Sequence, residues 1–310
     1  FEEQSDKKNL REAVAHLCRS MEAGESFSEA MEKHSSIFPF VLIKMVAAGE
    51  AGGVLDSVLE RMADYFEWEH NIREKAKSSL TYPMVVLGVA LLAVAFVVVF
   101  VLPIFERILN QMQIDLPLMT KFVLAVSNFT RHFWFLVLMG AAGIIFTARY
   151  LLKTEKGRDL WDRWVLKVPL VGVLVSKIII SRFCRTLAAL LSGGVPILDA
   201  LEVVEKTAGN RVFERSISQV CQSIREGEGM AEPLKASGVF PAMVVEMISV
   251  GEETGTVDLM LEKVGSFFDA EVEETAGRLS TLIEPALIII MGVVVGLLLI
   301  SILLPIFKVI

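Results

Sequence analysis

Apolar and polar positions separate along this chain into long blocks with distinct patterns. From Met84 to Leu102 no position carries a polar side chain, and from Ala286 to Leu304 only Ser301 does. At ~1.5 Å rise per residue each block makes a helix of about 29 Å, close to the ~30 Å of bilayer hydrocarbon. A shorter stretch, Phe133 to Ala148, is lengthened by Arg149, whose charge can snorkel while Tyr150, Leu151 and Leu152 stay in the interface. Elsewhere apolar residues recur at helical spacing, as in Leu187, Leu190, Leu191 and Leu198, Leu201, Val204, so that each helix has one face to bury. The pattern predicts an all-α protein with three membrane spans.

Glycine, proline and capping residues punctuate the polar blocks. A helix is expected from about Ser176 to a stop at Gly193-Gly194, and Pro196 opens the next, with Asp199 in its first turn. Gly209 closes that helix, Asn210 caps a third, and Gly227 and Gly229 end it. A short helix near Glu232 to Ala236 follows. Pro241 starts a fifth helix, which stops in the Gly251 to Gly255 turn, and a long sixth runs from about Val257 into the last span. This is the outline of an antiparallel six-helix bundle.

The chain also repeats itself. Residues 38–108 align without a gap on 240–310, with nineteen of the seventy-one positions identical. The identities fall where backbone geometry is demanding: Phe38-Pro39 on Phe240-Pro241, Gly49-Glu50 on Gly251-Glu252, Gly53 on Gly255, Asp56 on Asp258, Pro83 on Pro285. A one-residue shift extends the match upstream and pairs Cys18 with Cys221. Two repeated helical-bundle domains, each ending in a span, are therefore expected. The first begins only at its third helix, so residues 1–80 must either leave an apolar face uncovered or rely on a neighbour. Phe1 opens the chain with no initiator Met or signal peptide, which reads as a start inside a domain.

Lys and Arg set the orientation. Arg73, Lys75 and Lys77 precede the first span, and Arg149, Lys153, Lys156, Arg158, Arg163 and Lys167 follow the second, whereas the loop between holds only Arg107, Lys121 and Arg131. The positive-inside rule places both charged domains in the cytoplasm. The expected order is a first cytoplasmic domain over 1–81, spans over 82–105, 132–152 and 284–307, a periplasmic segment over 106–131, and a second cytoplasmic domain over 153–283. The C-terminal Lys308-Val309-Ile310 falls outside the cytoplasm.

Composition fits this layout. With 54% hydrophobic residues and 22% charged ones, the apolar excess must sit in blocks. The net charge of −7 provides no basic field for nucleic acid. Three dispersed cysteines, Cys18, Cys184 and Cys221, argue against a disulfide framework or zinc site and are read as reduced, buried thiols. No phosphate-cradling GxxxxGK[ST] loop occurs, and His16, His34, His70 and His132 form no hydrolytic or metal spacing. No catalytic, cofactor or metal site is expected, and no nucleotide hydrolysis.

Three features are candidates for contact. The repeated Gly49-Glu50 with Asp56 and Gly251-Glu252 with Asp258 are open to two readings: a contact or weak cation site, or a helix stop followed by a helix start. The run Glu246 to Glu274 holds nine acidic residues against Lys263 alone, and Glu50 to Glu74 holds seven against Arg61 and Arg73, so both copies carry one dominant sign. Such a face is either simply solvated or steers a basic partner; Asp269, Glu271, Glu273 and Glu274 are the candidate positions. Gly292 and Gly296 form GxxxG in the last span, suited to helix packing within or between chains. The long helices entering the membrane at Pro83 and Pro285 have no flexible linker, as a stiff connection requires.

Together these features resemble the type II secretion F domain family. The segments that carry the resemblance are RFCRTLAALLSGGVPILDAL (182–201), EPLKASGVFPAMVVEMISVGEETGTVDLML (232–261), IEPALIIIMGVVVG (283–296), LPLMT (116–120) and LPIFKVI (304–310). AGNR (208–211) and LPIFKVI lean toward the type IV pilus members over the secretion members. The resemblance implies a multi-pass platform in the bacterial inner membrane that couples a cytoplasmic hexameric ATPase to pilin extraction. It implies pilin or pseudopilin, other inner-membrane assembly proteins and further copies of itself as partners. A type II secretion platform is the alternative. A channel or transporter would need polar groups facing one another at mid-membrane, and only Glu284 comes near.

Overall fold

The computed structural model describes residues 2–104 and 133–307, with Arg107, Lys121 and Ala125 between them. The rest of the expected periplasmic segment 106–131, including LPLMT, and the C-terminal Lys308-Val309-Ile310 lie outside the described residues. All the regular structure among the described residues is helical: α1 (Glu2–Glu22), α2 (Phe27–Glu32), α3 (Phe40–Gly52), α4 (Leu55–Phe96), α5 (Trp134–Lys153), α6 (Glu155–Lys167), α7 (Val171–Ser192), α8 (Ile197–Thr207), α9 (Arg211–Arg225), α10 (Ala231–Ser237), α11 (Ala242–Thr254) and α12 (Val257–Phe307). A π-helical turn, Val97–Val101, continues α4. Residue contacts divide the chain into two compact units, Phe1–Lys75 with Asp159–Thr275, and Ala76–Arg158 with Ala276–Ile310.

Local chemistry explains the helix ends. Ser26 caps α2 by accepting from the Glu29 amide while Glu29 returns a bond to the Ser26 amide, a reciprocal capping box. Asn210 caps α9 by accepting from the Val212 amide at 2.9 Å. Gly53 ends α3 and Gly255 ends α11, at φ 68° and 71°, a left-handed conformation in which a side chain would be strained. Pro39, Pro196 and Pro241 stand at the N-caps of α3, α8 and α11. The expected helix from Ser176 starts earlier, at Val171, and α6 adds a helix in a stretch read from sequence only as a run of charge.

The first unit is built around one apolar cluster. Ile180, Phe183, Cys184, Leu187 and Leu190 of α7 pack with Leu201 and Val204 of α8, Phe213, Ile217 and Val220 of α9, and Leu261, Val264 and Phe268 of α12. Val41 and Met45 of α3 and Val58, Met62 and Tyr65 of α4 belong to the same cluster. A methyl group added at Gly193, where α7 ends, would come within 2.6 Å of the Met45 Cε. At the centre the Tyr65 hydroxyl and Thr186 Oγ1 share a buried hydrogen bond of 2.9 Å, and burial pushes the Tyr65 phenol pKa up against the opposing effect of that bond. A smaller cluster of Leu17, Ala30, Met31, Ile43 and Val46 closes the α1–α3 end.

The apolar side chains of residues 10–65 have two different surroundings. Met45, Val58, Met62 and Tyr65 rely on the second half of the chain. Leu10, Val14 and Met21 on α1 and Leu59 on α4 stay exposed. Cys184 and Cys221 are buried, as expected, but Cys18 is exposed: among the described residues no helix covers the α1 face that holds it. Burial raises the Cys184 thiol pKa strongly and pushes Cys221 up to about 11, so neither is poised as a thiolate.

Among the described residues two helices are long and apolar enough to cross a membrane, one within Leu55–Ile104 and one within Val257–Leu297. α5 is a further helix of 20 residues. The pair α6 and α7, bent by 108°, is also long and apolar enough to count as one broken span. A membrane role for α7 conflicts with its packing, since its apolar residues form the centre of the first unit.

Truncating Met62 to Ala is expected to cost about 2–5 kcal/mol, as a cavity in a well-packed core does. Because the cluster is shared, thermal unfolding of the M62A variant should lower one common transition for Leu55–Lys75 and Val171–Thr275. Separate transitions would contradict a single core.

Candidate functional site

The repeated Gly-Glu positions lie in two turns with the same local chemistry. Glu50 Oε1 accepts from the Phe27 amide at 2.5 Å and Oε2 from the Ser28 amide at 2.9 Å. Glu252 Oε1 accepts from the Met230 amide at 2.5 Å and Oε2 from the Ala231 amide at 3.2 Å. These amides open α2 and α10, where the first N–H groups of a helix lack intrahelical partners. Each carboxylate is thus a helix cap delivered from a neighbouring helix. Burial opposes the charge on Glu50, but hydrogen bonds from the Ser28 side chain and the Ser28 and Phe27 amides outweigh it, and its pKa is held below the usual carboxylate value. Asp56 and Asp258 sit in the first turns of α4 and α12.

Gly49 and Gly251 allow the chain to double back. A Cβ at Gly49 would meet Val58 Cγ2 at 3.0 Å, and one at Gly251 would meet the Val257 Cα at 2.8 Å. Among the described residues no three His, Cys, Asp or Glu side chains converge as a metal site would require.

The acidic run on α12 divides by depth. Asp269 accepts from Arg185 Nε at 3.1 Å, from Arg185 Nη2 at 2.7 Å and from the Ser181 hydroxyl. The same guanidinium reaches Ser266 Oγ at 3.1 Å and lies over the Trp68 ring at 5.9 Å. Glu271 pairs with Lys177 at 2.5 Å, and that ammonium also donates to Thr275 Oγ1 at 2.8 Å. Glu273 pairs with Lys75 at 2.8 Å, with both side chains mostly exposed. Glu274 is exposed.

Between α4 and α12 these groups line an open groove of about 450 Å³, with Asp64, Glu67, Trp68, Lys75, Asp269 and Glu273 on its walls. A smaller cavity of about 190 Å³ continues it toward Arg61, Tyr65, Arg185 and Glu262. The cations of this region, Lys177 and Arg185 on α7 and Lys75 on α4, come from positions far away in the sequence. Sequence reasoning saw the acidic face but missed these partners, since no local spacing links residues 84 to 198 positions apart. Chemically the face offers charge and hydrogen bonding to a partner, and no nucleophile paired with a base.

In the apolar half of α12 a Cβ built on Gly292 or Gly296 meets nothing within 4 Å, so neither glycine is in close contact with another helix among the described residues. Pro285 lies inside the unbroken α12, and Pro83 inside α4.

Two outcomes are expected. Glu50, with its lowered pKa, contributes stability that is present above the unfolded carboxylate value and is lost as pH falls through the folded one. E50Q should therefore unfold at lower denaturant concentration near neutral pH, and the gap from the parent should close on acidification; a gap constant with pH would contradict the capping role. Removing Asp269 leaves the half-buried Arg185 without its carboxylate, so D269A should cost roughly 1–3 kcal/mol, whereas E273A should cost about 1 kcal/mol or less, as measured by chemical denaturation.

The family model described as type II secretion system protein F matches residues 1–103 and 183–305. The type IV pilus assembly protein PilC of Myxococcus xanthus is 38% identical over 305 residues, covering 98% of this chain and 73% of that protein. Its namesake from Thermus thermophilus is 39% identical over 311 residues, covering 100% and 76%. The type II secretion system protein F of Pseudomonas aeruginosa is 32% identical over 303 residues, covering 98% and 75%.

Proposed function

The chain belongs to the type II secretion system protein F family, and from that membership we propose that it is an inner-membrane platform of a type IV pilus assembly machine. One observation carries the choice of machine: similarity over nearly the whole chain to proteins named for type IV pilus assembly, at 38–39% identity, against 32% for a protein named for type II secretion. The secretion platform is the second reading, on the strength of that same relative.

In this role the protein is a scaffold that couples a cytoplasmic hexameric ATPase to the extraction of pilins from the membrane. It is multi-pass, with spans over 82–105, 132–152 and 284–307 and both charged regions in the cytoplasm. Two long apolar helices and the Lys and Arg distribution support this topology. Duplication of one helical unit is supported by the ungapped alignment, by the match of the family model to both stretches, and by the equivalent caps made by Glu50 and Glu252. The long helices α4 and α12, continuous through Pro83 and Pro285, transmit force without a flexible linker. Gly292 and Gly296 pack against a second copy in a homo-oligomer.

The acidic face of α12 is the contact for the ATPase. Asp269 and Glu271 lie half-buried against Arg185 and Lys177, whereas the side chains of Glu273, which meets Lys75, and Glu274 reach solvent and bear most of the steering.

Recovery of the intact protein from its host membranes should bring down a motor ATPase and a pilin. Recovery of a secretion ATPase and pseudopilin instead moves the assignment to the second reading, and ion flux through reconstituted protein with neither partner supports a channel. Replacing Glu273 and Glu274 by Lys should weaken ATPase recovery, more so at low salt, with folding unchanged. Adding Asp269→Lys and Glu271→Lys should weaken it further, at a cost in stability. Unchanged recovery in the double variant would place the contact elsewhere.

A further inference from the structure

Among the described residues the contacts that hold α6 to the first unit come from one side. The Asp162 carboxylate accepts from the Arg211 amide at 2.9 Å, at the start of α9, and the Asp162 carbonyl accepts from Asn210 Nδ2 at 3.3 Å. Asp159 pairs with Arg215 at 2.6 Å, and Leu166 packs against the main apolar cluster. Asp162, Asp159 and Leu166 thus fix the inner face of the helix.

The opposite face is apolar and bare. Leu160, Trp161 and Trp164 are 67%, 53% and 65% exposed. At 3.6 residues per turn they span an arc of about 100°. Arg163 and Lys167 border that arc, within about 40° of one another. The apolar surface continues past the end of α6. There the Val171 amide bonds back to the Pro169 carbonyl at 2.8 Å, closing a γ-turn with Leu170 at φ 68°, the only non-glycine residue with positive φ among the described residues. Such a turn is rare and strained, and the Leu170, Val171 and Val173 side chains that follow it are exposed.

A soluble surface rarely displays two tryptophans and four aliphatic side chains together. Their setting in the chain identifies the covering. Thr154 alone separates α5 from α6, and Trp161 follows Lys153 by only ~10 Å of helix. The exposed face therefore begins at the end of an apolar helix. Tryptophan is the side chain best suited to the headgroup level of a bilayer, and cations beside an apolar face suit anionic headgroups.

We propose that α6 and the Leu170 turn form an interfacial anchor, lying in the cytoplasmic surface of the membrane and contacting anionic phospholipid. The apolar arc enters the headgroup–acyl boundary, while Arg163 and Lys167 meet the phosphates. Asp162 and Asp159 then tie α9, and through it the first unit, to a helix resting on the bilayer. This inference rests on α5 being a span.

The test uses the full chain in nanodiscs of phosphatidylcholine, with and without phosphatidylglycerol, and quenching of tryptophan emission by brominated lipid or by aqueous iodide. One variant, W68F with W134F, reports on Trp161 and Trp164. Another, W68F with W161F and W164F, reports on Trp134, which opens α5. Brominated lipid should quench Trp161 and Trp164 strongly, and roughly twofold more in anionic than in neutral nanodiscs. R163Q with K167Q should remove that difference while Trp134 quenching stays the same. Quenching of Trp161 and Trp164 by iodide alone, or by neither agent, with Trp134 still quenched by lipid, overturns the anchor: the face is then solvated or covered by protein. Absence of lipid quenching at Trp134 as well overturns both the span and the anchor.

Discussion

Met45, Val58, Met62 and Tyr65 carry apolar surface that α1 to α4 cannot cover among themselves, and the cover they find is α7. Their burial in one cluster with Ile180, Phe183, Cys184 and Leu187 joins two segments separated by more than a hundred residues into one cooperative core. At about 25 cal/mol per Å² of apolar surface, a few fully buried side chains of this size contribute several kcal/mol. That is comparable with the whole net stability of a domain. The polar contacts of the region are arranged on this apolar base: Tyr65 reaches Thr186 only because α4 lies against α7, and Lys75 reaches Glu273 only because α4 lies beside α12.

The same arrangement distributes charge. Between Asp258 and Glu274 the exposed face of α12 is acidic, yet its inner carboxylates pair with cations from α7, with Arg185 on Asp269 and Lys177 on Glu271. At the outer edge Glu273, which meets Lys75 of α4, and Glu274 are the more exposed carboxylates. The carboxylates at Glu50 and Glu252 have no comparable surplus, since both oxygens of each already accept backbone N–H groups. Their repetition in the sequence is accounted for by the need to cap α2 and α10 and to let the chain turn tightly at Gly49 and Gly251.

Much of the fold was legible because its punctuation is local. Gly53 and Gly255 stop helices, Pro241 and Asn210 start them, and the apolar blocks are too long for ordinary core helices. The shared core was legible only as a need: helical periodicity at Met62 and Tyr65 shows that a face must be buried, and says nothing of what buries it. The exposure of Cys18 was not legible at all, since its alignment with the buried Cys221 carries no information on which neighbours surround each thiol. α6 went unrecognised because its Lys and Arg residues were weighed for membrane orientation, although Leu160, Trp161 and Trp164 at i, i+1 and i+4 already mark an amphipathic face. The ion pairs of Asp269 and Glu271 depend on tertiary placement that no short-range spacing encodes.

The central claim is that α4 and α7 belong to one cooperative core, and native-state hydrogen exchange tests it most directly. Amides around Val58 to Tyr65 and around Ile180 to Leu190 should share one opening free energy and one dependence on denaturant, as members of a single unfolding unit do. Exchange of the α4 amides at a markedly lower free energy than those of α7 would contradict the claim.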